Sequence, residues 1–246
     1  MTITPTLASN LTGRTVVIFG GTSGIGLAAA IQAKAAGAKV VVIGSNAERA
    51  EQAAKEHGLD GWRAADVTRR EAIEAALADI PVVDHLVLLA GTFVTGSILT
   101  ADVDHLRRAF DERIWASINA IRILGDRLSK AGSITFISGA LADRPNAHGT
   151  AVIGAASAAM ESLARGLALE LAPIRVNTLS PGPIDTPIFS KALGEGRDAY
   201  VASLEQALPL RRIGTAEEAG AATVFLMTNT FMNGAVLNVD GGVRLV

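Results

Sequence analysis

The sequence predicts an α/β fold in which helices cover both faces of one doubly wound, mainly seven-stranded parallel sheet. Three observations carry this. Short runs rich in β-branched residues alternate with longer alanine-rich stretches from end to end, the pattern of strand–helix units joined by right-handed crossovers. The runs are apolar throughout rather than alternating, as strands buried on both faces are. The first run enters a glycine-rich turn that opens a helix, the usual first corner of a doubly wound sheet. The 246 residues suit a single domain, and no linker, repeat or low-complexity tract divides them.

Taken in order, the strands are expected at 15–19, 39–43, 61–65, 85–89, 133–138, 175–179 and 235–239, with helices filling the intervals. Three helices carry start signals. Ser45-x-x-Glu48, Thr68-x-x-Glu71 and Thr215-x-x-Glu218 each fit a capping box, in which hydroxyl and carboxylate satisfy the free amides of the first turn.

Composition removes several function classes. Net charge is −2 with no basic block, so neither nucleic acid nor an anionic membrane surface is an expected partner. Cysteine is absent, which excludes disulfides, thiolate metal sites and a cysteine nucleophile and suits a reducing cytoplasm. Residues 1–10 lack a basic start followed by an apolar core, so no secretion signal is expected. Alanine-rich runs are broken by Glu161, Arg165 and Glu170, and no membrane span is expected. The His and acidic residues lack metal-ligand spacing, and no metal site is expected.

The sharpest local signal is Thr15-Val-Val-Ile-Phe-Gly-Gly-Thr-Ser-Gly-Ile-Gly-Leu-Ala28. Gly20 permits the tight turn, Gly24 lets backbone approach a phosphate, and Gly26 lets helix and sheet pack closely. The amides of Thr22, Ser23 and Ile25, with the positive end of the helix dipole, would then face a pyrophosphate. A glycine pattern alone is weak, with a plain tight turn as the bland alternative, but the strand–turn–helix context favours nucleotide binding.

Gly20-x-x-x-Gly24-x-Gly26 resembles the glycine motif of the short-chain dehydrogenase/reductase family, whose members are Rossmann-fold enzymes using a nicotinamide cofactor. Further matches run in order along nearly the whole chain. Asp66-Val67 resembles the family's adenine-contacting pair, and Ala90-Gly91 the end of its Asn-Asn-Ala-Gly motif. Arg175-Val-Asn177 and Pro181-Gly-Pro-Ile-Asp-Thr186 resemble the segment that closes over the nicotinamide, with Gly182 in its turn. Arg212-Ile-Gly-Thr-x-Glu-Glu218 and Asp240-Gly-Gly242 resemble the C-terminal signature, the latter as a supporting turn. The resemblance implies that Ile184 and Thr186 hold the carboxamide. The alternative is that Asp66 merely ends a strand before the Thr68 cap and Pro181-Gly182 forms a plain turn; the ordered set of matches favours binding roles for both.

Cofactor choice turns on the end of the second strand. NAD-preferring proteins usually carry an acid about 20 residues past the glycine turn; Gly44 stands there, so no carboxylate repels a 2′-phosphate. Ser45 and Asn46 can donate to that phosphate or simply cap the next helix. NADP(H) is therefore favoured over NAD(H).

In the family, a tyrosine donates a proton to the carbonyl oxygen, and a lysine four residues on holds the ribose. A serine polarises the carbonyl and an asparagine organises a proton relay. Aligning Glu161-Ser-Leu-Ala-Arg-Gly-Leu-Ala-Leu-Glu-Leu171 with the end of the family's active-site helix puts Ile153 at the tyrosine position and Ser157 at the lysine position. Gly139 takes the serine position, with Ser138 one residue earlier, and Arg113 the asparagine position. Leu88 and Leu89 replace the two asparagines before Ala90, and Phe19 the threonine before Gly20. Isoleucine has no proton to give, and serine cannot replace a cation that lowers a neighbour's pKa. Substitutes are Ser138 as a carbonyl partner or, equally, a structural strand-end hydroxyl, Arg113 as a charge for an oxyanion or carboxylate or as a salt-bridge partner of Asp111 or another acid, and His148 as a titrating group or a solvated loop residue.

Three readings follow: an oxidoreductase of a small carbonyl or alcohol with a degenerate site, a non-catalytic cofactor-binding sensor or partner subunit, or a non-redox enzyme keeping the cofactor as a structural group. The resemblance also implies a substrate lid over 187–209, with Ile188, Phe189, Leu193, Tyr200 and Leu204 as an apolar wall. It further implies a homodimer or homotetramer paired through helices near 102–129 and 150–171.

Overall fold

The computed structural model describes residues 10–246, and the side chains of all of these except 189, 192 and 193. Residues 1–9, read above as free of a secretion signal, lie outside it, as do the side chains of Phe189 and Leu193 in the expected lid. The first half runs β1 (Thr15–Phe19), α1 (Gly24–Ala35), β2 (Lys39–Gly44), α2 (Ala47–Glu56), β3 (Gly61–Ala64), α3 (Arg70–Leu77) and β4 (Val83–Leu88). Next come α4 (Val103–Phe110), a π-helical turn at Asp111–Trp115, α5 (Ala116–Leu124), β5 (Leu128–Ile137), α6 (Ala151–Glu170) and β6 (Arg175–Pro181). The rest comprises β7 (Ile184–Asp185), α7 (Pro187–Leu193), α8 (Arg197–Ala207), β8 (Gly214–Thr215), α9 (Ala216–Thr228) and β9 (Val236–Val239).

Seven strands form one sheet in the order β3-β2-β1-β4-β5-β6-β9, every pair parallel. Every expected strand is present, with ends moved by one or two residues except at β5. That strand begins at Leu128 and carries a register shift opposite Val83 and His85. Chain order reverses between β1 and β4. A crevice at the carboxyl ends of these two strands is the place where such sheets bind ligands.

The all-apolar strands are explained by the core. Val17 and Phe19 of β1 pack with Phe136, Met160 and Val176 on one face. Val16 and Ile18 pack with Val40, Ala29, Ala33 and Val224 on the other. Small residues let α1 and α9 meet closely: a Cβ added to Gly220 would lie 2.9 Å from Ala28.

Of the three expected capping boxes, only Thr215 with Glu218 forms. At α2 the cap is Asn46, whose side chain accepts from Arg49 N at 2.8 Å, so Ser45 does not serve. At α3 the N-cap is Arg69, without a side-chain bond. Thr68 is drawn away instead, donating from N and Oγ1 to Asp66 Oδ1 at 3.0 and 2.7 Å. A short Asx turn has won over the box.

One helix, α6, is long and apolar enough to cross a membrane by length and composition, a property the charged residues within it were expected to prevent. It lies on the sheet and buries Ile153, Gly154, Ala156, Ser157, Met160, Ala164 and Ala168, as a core helix does.

Candidate functional site

The glycine turn after β1 is built by close approach. Gly20 has φ +78°, and a Cβ there would lie 2.9 Å from Ala90 N and from Leu89 C. A Cβ on Gly26 would meet Gly20 O at 2.2 Å, so α1 starts directly against the turn and any side chain there would push it away. Gly24, at φ +52°, faces Thr186, whose Cγ2 would be 3.2 Å from an added Cβ. Ser23 is the N-cap of α1 but makes no side-chain bond to it, leaving the first-turn amides without a side-chain cap. Ile25, partly buried, anchors the turn to the α1–α9 face, and Thr22 is buried beneath it. These features fit a pyrophosphate: first-turn amides without a side-chain cap, a helix dipole and a turn that carries glycines at its closest approaches.

The end of β2 explains the missing acid. A Cβ on Gly44 would lie 2.6 Å from Thr22 Cγ2 and 2.8 Å from Thr22 Oγ1. Thr22 fills the volume that a longer residue would need. Ser45 and Asn46 are exposed, and the side-chain oxygen of Asn46 accepts the cap bond from Arg49 N.

The remaining expected contacts sit at neighbouring strand ends. Asp66 and Val67 follow β3, Ala90 and Gly91 follow β4, and Pro181 ends β6. The Asp66 carboxyl lies below its usual pKa because it accepts from Thr68. Gly182 passes close over Asp240, where an added Cβ would meet Cα at 2.7 Å. Ile184 is buried and Thr186 half-buried. Phe19 and Leu88 are register partners across β1 and β4, so the two replacements of polar residues at these positions are one apolar contact, an exchange of both partners that need cost little. Arg175 and Asn177 do not join the site. Arg175 donates to the carbonyls of Leu226, Met227, Asn229 and Met232, and Asn177 to Met232 O while accepting from Ala235 N; both hold the end of α9.

The proposed proton-handling residues divide. Ser138 Oγ lies 2.7 Å from Glu161 Oε1, which accepts its proton, and 2.7 Å from Ser180 Oγ. Arg244 donates to Ser180 Oγ at 2.6 Å and pairs with Asp143 and Asp240. Ser138 is thus tied into a structural network linking β5, β6, α6 and the C-terminal turn. His148 is exposed, in a loop where its own N donates to Asn146 Oδ1. Ile153 is 2% exposed. Ser157 is buried on the same helix.

Arg113 differs from its expectation of a salt bridge with Asp111 or another acid: among the described residues it makes none. It lies on the π turn, a distortion often found at functional positions, and its guanidinium sits over Gly91, whose added Cβ would be 3.0 Å from Cζ. It donates to Thr92 O at 2.9 Å and, at 3.5 Å, to Ala109 O. Burial pushes its pKa down, with the Glu112 charge opposing. Glu112, buried and not singled out from the sequence, accepts from Thr92 N and Oγ1 at 2.5 and 2.8 Å and pairs with Arg108 at 2.6 Å. The signal for that pair was its i, i+4 spacing.

A family model described as enoyl-(acyl carrier protein) reductase matches residues 20–244. The chain belongs to the short-chain dehydrogenase/reductase family. It is 33% identical to the short-chain dehydrogenase/reductase ATR9 of Stachybotrys chlorohalonatus (strain IBT 40285), over 95% of this chain and 98% of that one. It is 31% identical to the cyclic-di-GMP-binding biofilm dispersal mediator protein of Escherichia coli (strain K12), over 94% of this chain and 97% of that one. Among solved structures, a small-chain dehydrogenase in complex with NADPH shares 31% identity and a TM-score of 0.82, covering 95% of this chain and 99% of its own. For this short-chain dehydrogenase/reductase, the family's oxidoreductase chemistry and nicotinamide cofactor are the frame within which the altered residues must be understood.

Proposed function

We propose that this short-chain dehydrogenase/reductase binds NADP(H) where the strand order reverses and oxidises or reduces a small alcohol or carbonyl slowly, without a side-chain acid at the usual place. The observation that carries the reading is Gly44 packed on Thr22. A carboxylate cannot stand there to take the ribose hydroxyls or repel a 2′-phosphate, and Ser45, Asn46 and the exposed Arg49 offer donors. A relative solved with NADPH supports the choice. The residues Gly20, Gly24, Gly26, Ala90, Gly91, Pro181, Gly182, Ile184 and Thr186 would hold the cofactor, which supplies hydride when bound. What this chain adds is orientation and water exclusion. Such positioning reaches effective molarities of about 10⁵–10⁸ M, whereas the missing acid–base catalysis is worth about 10²–10⁴-fold, so turnover survives in weakened form.

A second reading, a cofactor-binding sensor or partner subunit, draws on the enclosure of Ile153 and the engagement of Ser138 with Glu161. The Escherichia coli relative carries a name that describes ligand binding. Calorimetry with NADPH and NADH, followed by NADPH oxidation across a carbonyl panel, separates these. The first reading expects NADPH to bind more tightly than NADH and a slow substrate-dependent rate. Binding with no rate above background removes the first and leaves the second, together with a non-redox enzyme that keeps the cofactor as a structural group; no binding removes both.

Assembly through α4–α5 and α6 belongs to the same proposal. Trp115 is 57% and Leu169 83% exposed on these helices, and α6 turns Ala155, Ala158 and Gly166 outward. Light scattering should give a dimer or tetramer; a monomer mass would contradict it.

A further inference from the structure

We propose that Arg113 supplies, from the π turn, the positive charge that Ser157 no longer supplies from α6, and that it serves the ribose on the nicotinamide side of the bound dinucleotide. This rests on the cofactor reading above. Four observations place the charge there. Among the described residues Arg113 makes no ion pair, and its bonds go only to the backbone carbonyls of Thr92 and Ala109. Its nearest acid in sequence, Glu112, is engaged by Arg108 and Thr92. The guanidinium presses on Gly91, at the end of β4 beside the glycine turn. The helices also bring the two positions alongside each other. α6 packs against both α4 and the π turn, and Ala109 shares one small apolar cluster with Ala156. Arg113, four residues after Ala109 on that π turn, therefore lies on the stretch that packs against α6, where Ser157 is the neighbour of Ala156 in sequence.

The chemistry is consistent with the exchange. A guanidinium is charged at every relevant pH and offers five N–H donors, of which carbonyls here take few. Such a cation can bind hydroxyl oxygens and stabilise negative charge developing nearby. Ser157 is uncharged and buried, whereas a lysine at 157 together with Arg113 would place two cations in one partly buried site.

A double-mutant cycle on NADPH affinity, measured by calorimetry with the full chain, tests this. Arg113→Asn should weaken NADPH binding by roughly tenfold, the size of one charge-assisted hydrogen bond. Adding Ser157→Lys to that variant should recover most of the loss, while Ser157→Lys alone should bind no better than the unsubstituted protein. Arg113→Lys, which keeps a charge, should fall between, and thermal melting of each variant reports whether it folds. A purely structural arginine would not be rescued from the other helix. Equal affinity of Arg113→Asn and the unsubstituted protein, or additive single effects in the cycle, overturns the proposal. Failure of the unsubstituted protein to bind NADPH overturns it together with the functional reading.

Discussion

Gly44 and Thr22 show how a single position serves packing and, on the proposed reading, cofactor choice. The absence of an acid at 44 was readable from the sequence; the reason, a threonine methyl filling the volume, was not, because the two residues lie on different elements. Gly44→Ala should destabilise the protein by about 1–3 kcal/mol through overpacking. Pairing it with Thr22→Ala, which removes the obstructing atoms, should restore part of that. Urea unfolding of the three variants would show it, and an undisturbed Gly44→Ala midpoint would rule the contact out. His85 makes a second residue-scale case. It is 5% exposed, beside Ser133 Oγ at 2.8 Å, at the end of the sheet opposite the site. Burial, then the Arg175 charge, pushes its pKa from 6.5 down to about 4, against a raising effect from Asp84. The unfolded chain takes up the proton near pH 6.5 and the folded chain only near pH 4. Its contribution is therefore complete above that upper value and falls as pH drops, by at most about 3 kcal/mol. Unfolding free energies at neutral and mildly acid pH should converge in His85→Gln; an unaltered pH dependence would show that another group is responsible.

At the scale of elements, β-branched runs apolar throughout marked the strands because the two faces of the sheet bury alternate residues of the same strand. Helix ends were harder. A hydroxyl followed by a carboxylate three residues on describes a capping box only if no nearer partner competes, and both Asn46 and Asp66 compete successfully. Asn46→Ala should therefore cost about 1 kcal/mol, while Ser45→Ala leaves stability within about 0.5 kcal/mol; thermal melts giving the reverse order would restore Ser45 as the cap. The long helix expected over 102–129 is divided by the π turn. Nothing in the spacing of hydrophobic residues marks one extra residue in a turn, so the placement of Arg113 over Gly91 was beyond sequence reasoning.

Over the whole molecule, the reversal of strand order between β1 and β4 collects the glycine turn, Gly91, Arg113 and the segment from Pro181 to Thr186 at one end of the sheet. Ordered motifs made that convergence legible. The fate of Ser138 was not, because its partners Glu161, Ser180 and Arg244 come from distant parts of the chain. On the proposed reading, the molecule joins a glycine turn that would face phosphate to a site whose isoleucine is buried and whose charge would come from the π turn. The most direct test is calorimetric titration of the unsubstituted protein with NADPH and NADH under matched conditions. Tighter binding of NADPH, by about tenfold or more, is the predicted result. Binding of NADH as tightly as NADPH, or of neither, would contradict the account.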